Sequence, residues 1–74
     1  MIKTIANYVL FNIDQNRYLV FIDELNSFDL VADYSVAKTF LDKQAALDYL
    51  DVNYYKISSD VEGNWTTREF FVKR

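Results

Sequence analysis

Residues 36–50, VAKTFLDKQAALDYL, are the one part of the chain with a helical period, and the segments on either side read as strand. Ala46 and Leu50 stand four apart and Leu47 and Leu50 three apart, so these three share a helical face, with Lys43, Asp48 and Asp51 largely outside it. Asp42 is placed to cap the N-terminus, where its carboxylate accepts a bond from a free backbone N–H and meets the positive end of the helix dipole. The expected helix runs over residues 43–51, with Asn53 as its stop. So short a helix is marginal alone and gains its stability from packing. Ala46, Leu47 and Leu50 therefore form the expected centre of the core. Residues 35–38 read as one helical turn, followed by a brief extended piece through Phe40, and Val36 and Phe40 lead into the core.

On the N-terminal side, residues 5–13 and 18–23 are rich in β-branched and aromatic residues, and Asp14-Gln15-Asn16-Arg17 between them is turn chemistry. A two-residue loop at Gln15-Asn16 sets Phe11 opposite Val20 and Val9 opposite Ile22, with Leu10 opposite Phe21 on the other face. Both faces of this hairpin are apolar, and one short helix covers only one of them. Tyr8, Leu10, Leu19 and Phe21 then need another cover: a curl of the sheet, a loop, or a second copy of the chain. Residues 24–34 read as a connection with a short strand at Leu30-Val31.

On the C-terminal side, residues 54–61 and 65–72 read as two further strands around Glu62-Gly63-Asn64, where the one glycine supplies the positive φ of a tight hairpin. That loop pairs Ile57 with Phe70 and Tyr55 with Val72, and sends the hairpin tip into solvent. The expected architecture is a single α+β domain, 1–74, with an antiparallel sheet of four to five strands, element order ββ(β)αββ, and one helix packed on one face.

With 74 residues the chain lies near the lower limit for a core without disulfides or metal. Its 18% aromatic content supplies large buried areas per residue, so an aromatic-rich core is expected. Cysteine and histidine are absent, which excludes disulfides, zinc sites built on Cys or His, and Ser-His or Cys-His catalysis. A single glycine excludes Gly-rich phosphate loops, and the acids do not follow calcium-loop spacing. No cofactor or metal is expected. No signal segment and no apolar run of membrane-spanning length occurs, so a soluble, cytoplasmic protein is expected.

The net charge of −3 argues against a general attraction to phosphate backbones. Acidity is concentrated over residues 14–51, where eight acids face three bases. Asp23 with Asp29, or Glu24 with Asp33, could form acid/base pairs, but with no accompanying His the plainer role is solvation, and no enzyme is expected. Asp48 and Asp51 make an acidic ridge if Glu24, Asp29 or Asp33 lies alongside, suited to a host protein with a basic surface. Trp65, beside the turn and on a face with Phe71, with Arg68 nearby, has the composition of a binding hot spot. The same aromatics with Arg68 could stack on single-stranded nucleic acid, though with little supporting charge.

Taken together, an aromatic hairpin, Ala37-x-x-Phe40, a polar cap, a short helix carrying Ala46 and Tyr49-Leu50, and a Tyr-rich segment opening Tyr54-Tyr55-Lys56-Ile57 resemble small α+β proteins encoded by bacteriophages and mobile elements of AT-rich bacteria. Several such proteins are stoichiometric inhibitors of host machinery, anti-CRISPR proteins among them. The resemblance implies a non-enzymatic host-defence inhibitor that binds a nucleic-acid-binding effector; it carries over no functional residue. The alternatives are a self-associating structural or accessory phage protein, forming a homodimer, and a weak single-stranded nucleic-acid binder.

Overall fold

Two segments, Tyr8 to Phe11 and Leu19 to Ile22, are apolar on both of their alternating faces, and the sheet holds them in its interior, where both faces are covered. The computed structural model describes the backbone of residues 4–73 and the side chains of residues 7–70. Strands β1 (Thr4–Asn12), β2 (Arg17–Ile22), β3 (Ser27–Val31) and β4 (Trp65–Lys73) form one antiparallel sheet in the order β3-β2-β1-β4. Helices α1 (Lys43–Val52) and α2 (Tyr54–Asp60) carry the chain from one edge strand to the other and form the second layer of an α+β fold. Single 3-10 turns occupy Asp23–Leu25 and Tyr34–Val36.

The helix α1 begins and ends where its sequence dictates. Asp42 accepts a 2.7 Å hydrogen bond from the Ala45 N–H, and Asn53 closes the last turn through its own N–H. Ala46 is fully buried, with Tyr49 and Leu50 packed beside it, whereas Lys43, Asp48 and Asp51 are exposed. Leu47, expected in the core, lies at its margin and is exposed.

Residues 54–60 are helical, which corrects the strand expected there. Ile57 and Val61, four apart, are both buried in one cluster with Leu10, Leu19, Phe28 and Ala46, a spacing that a helical turn satisfies. An extended chain would instead have lined up Tyr55, Ile57, Ser59 and Val61, placing a serine among the apolar residues. With that strand gone, β4 pairs with β1 along its whole length, from Asn12↔Trp65 to Thr4↔Lys73. The expected pairs Ile57 with Phe70 and Tyr55 with Val72 do not form. Gly63 does take a positive φ, 125°, but in the link from α2 to β4.

The first hairpin is shifted by two residues from the expected register: Phe11 faces Tyr18 and Asn12 faces Arg17. Its loop is longer because the Asn12 side chain accepts from Gln15 N–H and its C=O accepts from Asn16 N–H, with Asn16 left-handed at φ 57°. A shift of two keeps every residue on its face. The face under the helices, however, is the one with Tyr8, Leu10, Leu19 and Phe21, so these residues are core and not a homodimer surface.

Beyond Phe11 and Tyr18 the two central strands fork. The connection from β3 enters this fork: Lys38 N–H donates to Leu19 C=O at 3.0 Å, and Phe40 exchanges both backbone bonds with Tyr8 at 2.8 and 2.9 Å. Phe40 then packs on Tyr49 with ring centroids 5.2 Å apart, and the Lys38 ammonium sits 4.9 Å from the Tyr49 ring. The same connection covers the other face of the sheet. Tyr34 lies 4.6 Å from Phe70 and 6.3 Å from Tyr18, and Arg68 lies 4.1 Å over Phe11, which leaves Val9 and Phe11 buried.

At the hairpin end a polar clasp joins the 12–16 loop to the 62–64 link. Buried Asn12 donates to Glu62 C=O at 2.9 Å, Gln15 donates to the same carbonyl at 2.8 Å, and Asp14 accepts from Asn64 N–H at 2.6 Å. Buried amides need such partners, and Asn12 has them.

Candidate interaction surface

Because α2 turns Ile57 and Val61 into the core, it turns Tyr54 and Tyr55 out. Val52, in the last turn of α1, is 81% exposed, Tyr54 52% and Tyr55 89%, with the two rings 5.9 Å apart. Asp48 and Asp51 each stand four residues before Val52 and Tyr55 respectively and are likewise exposed; Asp48 accepts from Gln44 Nε2 at 2.8 Å. The corner between the helices is therefore an apolar and aromatic prominence with two carboxylates beside it. Large apolar groups gathered at one place on a small surface mark contact sites more often than scattered ones. Val52, Tyr54 and Tyr55 were not legible as surface residues, since Tyr-Tyr favours strand; the signal was the i, i+4 spacing of Ile57 and Val61.

The other expected contact residues are dispersed. Asp29 alternates with Phe28 and Leu30, which face the helices, so it points from the opposite face of the sheet to Asp48 and Asp51. Asp33 caps the 3-10 turn that begins with Tyr34, on that same opposite face, and Glu24 sits in the turn between β2 and β3. The expected acidic ridge is thus split between two layers. Ser35 N–H, donating to the Asp33 carboxylate at 2.9 Å, holds that carboxyl below its usual pKa.

Trp65 does not project. It opens β4 opposite Asn12, half-buried against the helical side, whereas Arg68, three residues on, lies on the other face with its guanidinium on Phe11 and 3.4 Å from the Tyr18 hydroxyl. Trp65 and Arg68 therefore cannot form one anchor, and the Phe71 side chain lies outside the described residues. On the helical side the Tyr8 hydroxyl donates to Glu69, which raises the Tyr8 pKa; burial raises that of Tyr49.

A groove of about 280 Å³ runs beside the fork, lined by Val20, Phe21, Asp23, Val36, Ala37 and Lys38. It joins one carboxylate, one ammonium and four apolar residues, a set with no paired nucleophile and base. Among the described residues there is no group of three or more Asp or Glu side chains able to hold a metal ion, and no helix is long and apolar enough to cross a membrane. Comparisons with protein-family models, curated proteins and solved structures find no match to this chain.

Proposed function

We propose that this protein is a non-enzymatic protein-binding module whose contact surface is the corner between α1 and α2. The observation that supports it is the exposure of Val52, Tyr54 and Tyr55 on the helical layer, with Asp48 and Asp51 at their border. Tyrosines anchor interfaces because they bring a large, stiff, amphipathic area, and flanking carboxylates favour a partner whose apolar recess is rimmed by Lys or Arg. Such rims surround nucleic-acid grooves. Together with the resemblance to small phage proteins, this favours a host effector that binds nucleic acid as the partner, and stoichiometric inhibition as the mode of action.

The test is affinity capture from host lysate with the wild type, Tyr55→Ala and Asp48→Asn/Asp51→Asn proteins, followed by titration with the captured partner. One partner held at fixed stoichiometry, lost with Tyr55→Ala and weakened in high salt, is the expected result. Capture that is identical for all three proteins would overturn the assignment of the corner.

A further inference from the structure

The two edges of the sheet are finished differently. On β3, Leu19 turns its C=O toward Lys38, away from β3, so its partner Leu30 and the equivalent residue Phe28 direct their backbone groups outward. Both N–H groups are capped: Phe28 N–H donates to the Asp60 carboxylate at 2.9 Å, and Leu30 N–H to Asp29 at 2.7 Å. An edge so capped offers no donor to another strand.

On β4 the same reasoning gives the opposite outcome. Tyr8 directs its N–H and C=O toward Phe40 and Asn12 its C=O toward Asn16, away from β4, so their partners Glu69 and Trp65, and Thr67 between them, direct theirs outward. Among the described residues nothing accepts from these three N–H groups. β4 is nine residues long and has no proline; among its described side chains the one charge on the helical side, Glu69, is exposed and accepts from the Tyr8 hydroxyl, so it does not block the edge.

We infer that a second copy of this chain adds its own β4 to this edge, antiparallel, so that two four-stranded sheets become one. The charges on the strand exclude two registers, and the pairing that uses Trp65, Thr67 and Glu69 together is the one centred on Thr67. Pairing centred on Arg68 sets Arg68 opposite its own copy, and pairing centred on Glu69 sets Glu69 opposite its own copy; like charges directly opposite are destabilising. Centring on Thr67 sets Thr67 against Thr67, Thr66 against Arg68 and Trp65 against Glu69, where an indole N–H meets a carboxylate. Three hydrogen-bonded pairs, two of them equivalent by symmetry, then supply about six ladder bonds. The surface used is an edge of the sheet and leaves the α1–α2 corner free.

Sedimentation velocity from low to several hundred micromolar protein tests the pairing. The wild type is expected to reach a dimer across that range. Thr67→Pro, which removes an N–H that bonds nothing within the chain, at an edge position that tolerates proline, is expected to stay monomeric with an unchanged melting temperature. Should Thr67→Pro fail to fold by circular dichroism, Thr67→Lys places two like charges on the symmetry axis and gives the same readout. Register is tested by oxidation, since the chain has no cysteine: Thr67→Cys should cross-link to a covalent dimer, whereas in Arg68→Cys the two sulfurs are offset along the strands beyond disulfide reach. A wild type that remains monomeric throughout, a dimer that survives substitution of Thr67, or equal cross-linking at the two positions would overturn the inference.

Discussion

Gly63 lies so close to the Asn12 carboxamide that a Cβ on the glycine would fall 2.5 Å from Asn12 Oδ1. The Asn12 side chain cannot withdraw, because it is fully buried and tied to Glu62 and Gln15. Gly63 also holds a φ of 125°. Gly63→Ala therefore combines a clash with a disfavoured backbone and should lower stability by about 2–3 kcal/mol, read as a lower urea midpoint at unchanged slope. Asn12→Ala should lower it by about 1–3 kcal/mol, because the Glu62 C=O and Gln15 N–H lose a partner in a partly buried site.

Asp60→Ala should have two separable effects. Loss of the charged acceptor from Phe28 N–H removes about 1.5–3 kcal/mol by denaturant titration, while the 3.7 Å pair with exposed Lys56 adds little. The β3 edge then gains a free donor, and light scattering should show concentration-dependent association beyond that of the wild type.

Phe40→Ala removes the ring that packs at a tilt on Tyr49 from the residue whose backbone bridges to Tyr8 in the fork. Its cost should be about 3 kcal/mol, at the low end for such a truncation because Phe40 is only partly buried. In native-state hydrogen exchange the amides of Tyr8, Lys38 and Phe40 are expected to open together in the wild type and to lose protection together in this variant.

Two tyrosines link stability to alkaline pH. The Tyr8 pKa is raised above its ordinary 10.0 by donation to Glu69, and that of Tyr49 by burial, so the folded state favours their protonated forms. Below the unfolded pKa both states are protonated and the contribution is complete; it is lost as pH rises through 10 and through the folded values. Melting temperature should therefore fall above pH 10, and Tyr8→Phe should make that fall shallower. Ultraviolet titration should show a late-ionising tyrosine that this variant lacks.

Local chemistry was legible wherever a residue's partner is near in sequence. Asp42 as cap, Asn53 as stop and the inward Ala46 and Leu50 follow from spacing alone, as does the extended piece ending at Phe40. The segment 54–60 was misread because Tyr54 and Tyr55 have strand propensity but no strand to join. β1 and β2, apolar on both faces, required neighbours on each side, and β4 filled the place beside β1 that the misread segment would have denied it. The corner at Val52 and Tyr55 was hidden by that same error. The entry of Lys38 and Phe40 into the fork depends on where two distant strands part, which no local period records.

The fork also sets when the fold can form. β1 is one of the two central strands, yet its hairpin with β2 can close only at the tip. The rest of that side waits for Phe40, and its other side waits for β4, the farthest of the four strands along the sequence. Closing such distant pairs is slow because the loop entropy is lost before the contacts form. An apolar strand thus stays without its partners until residues 65–73 are present, so shielding of residues 4–12 by a chaperone until then should govern how much folded protein is obtained.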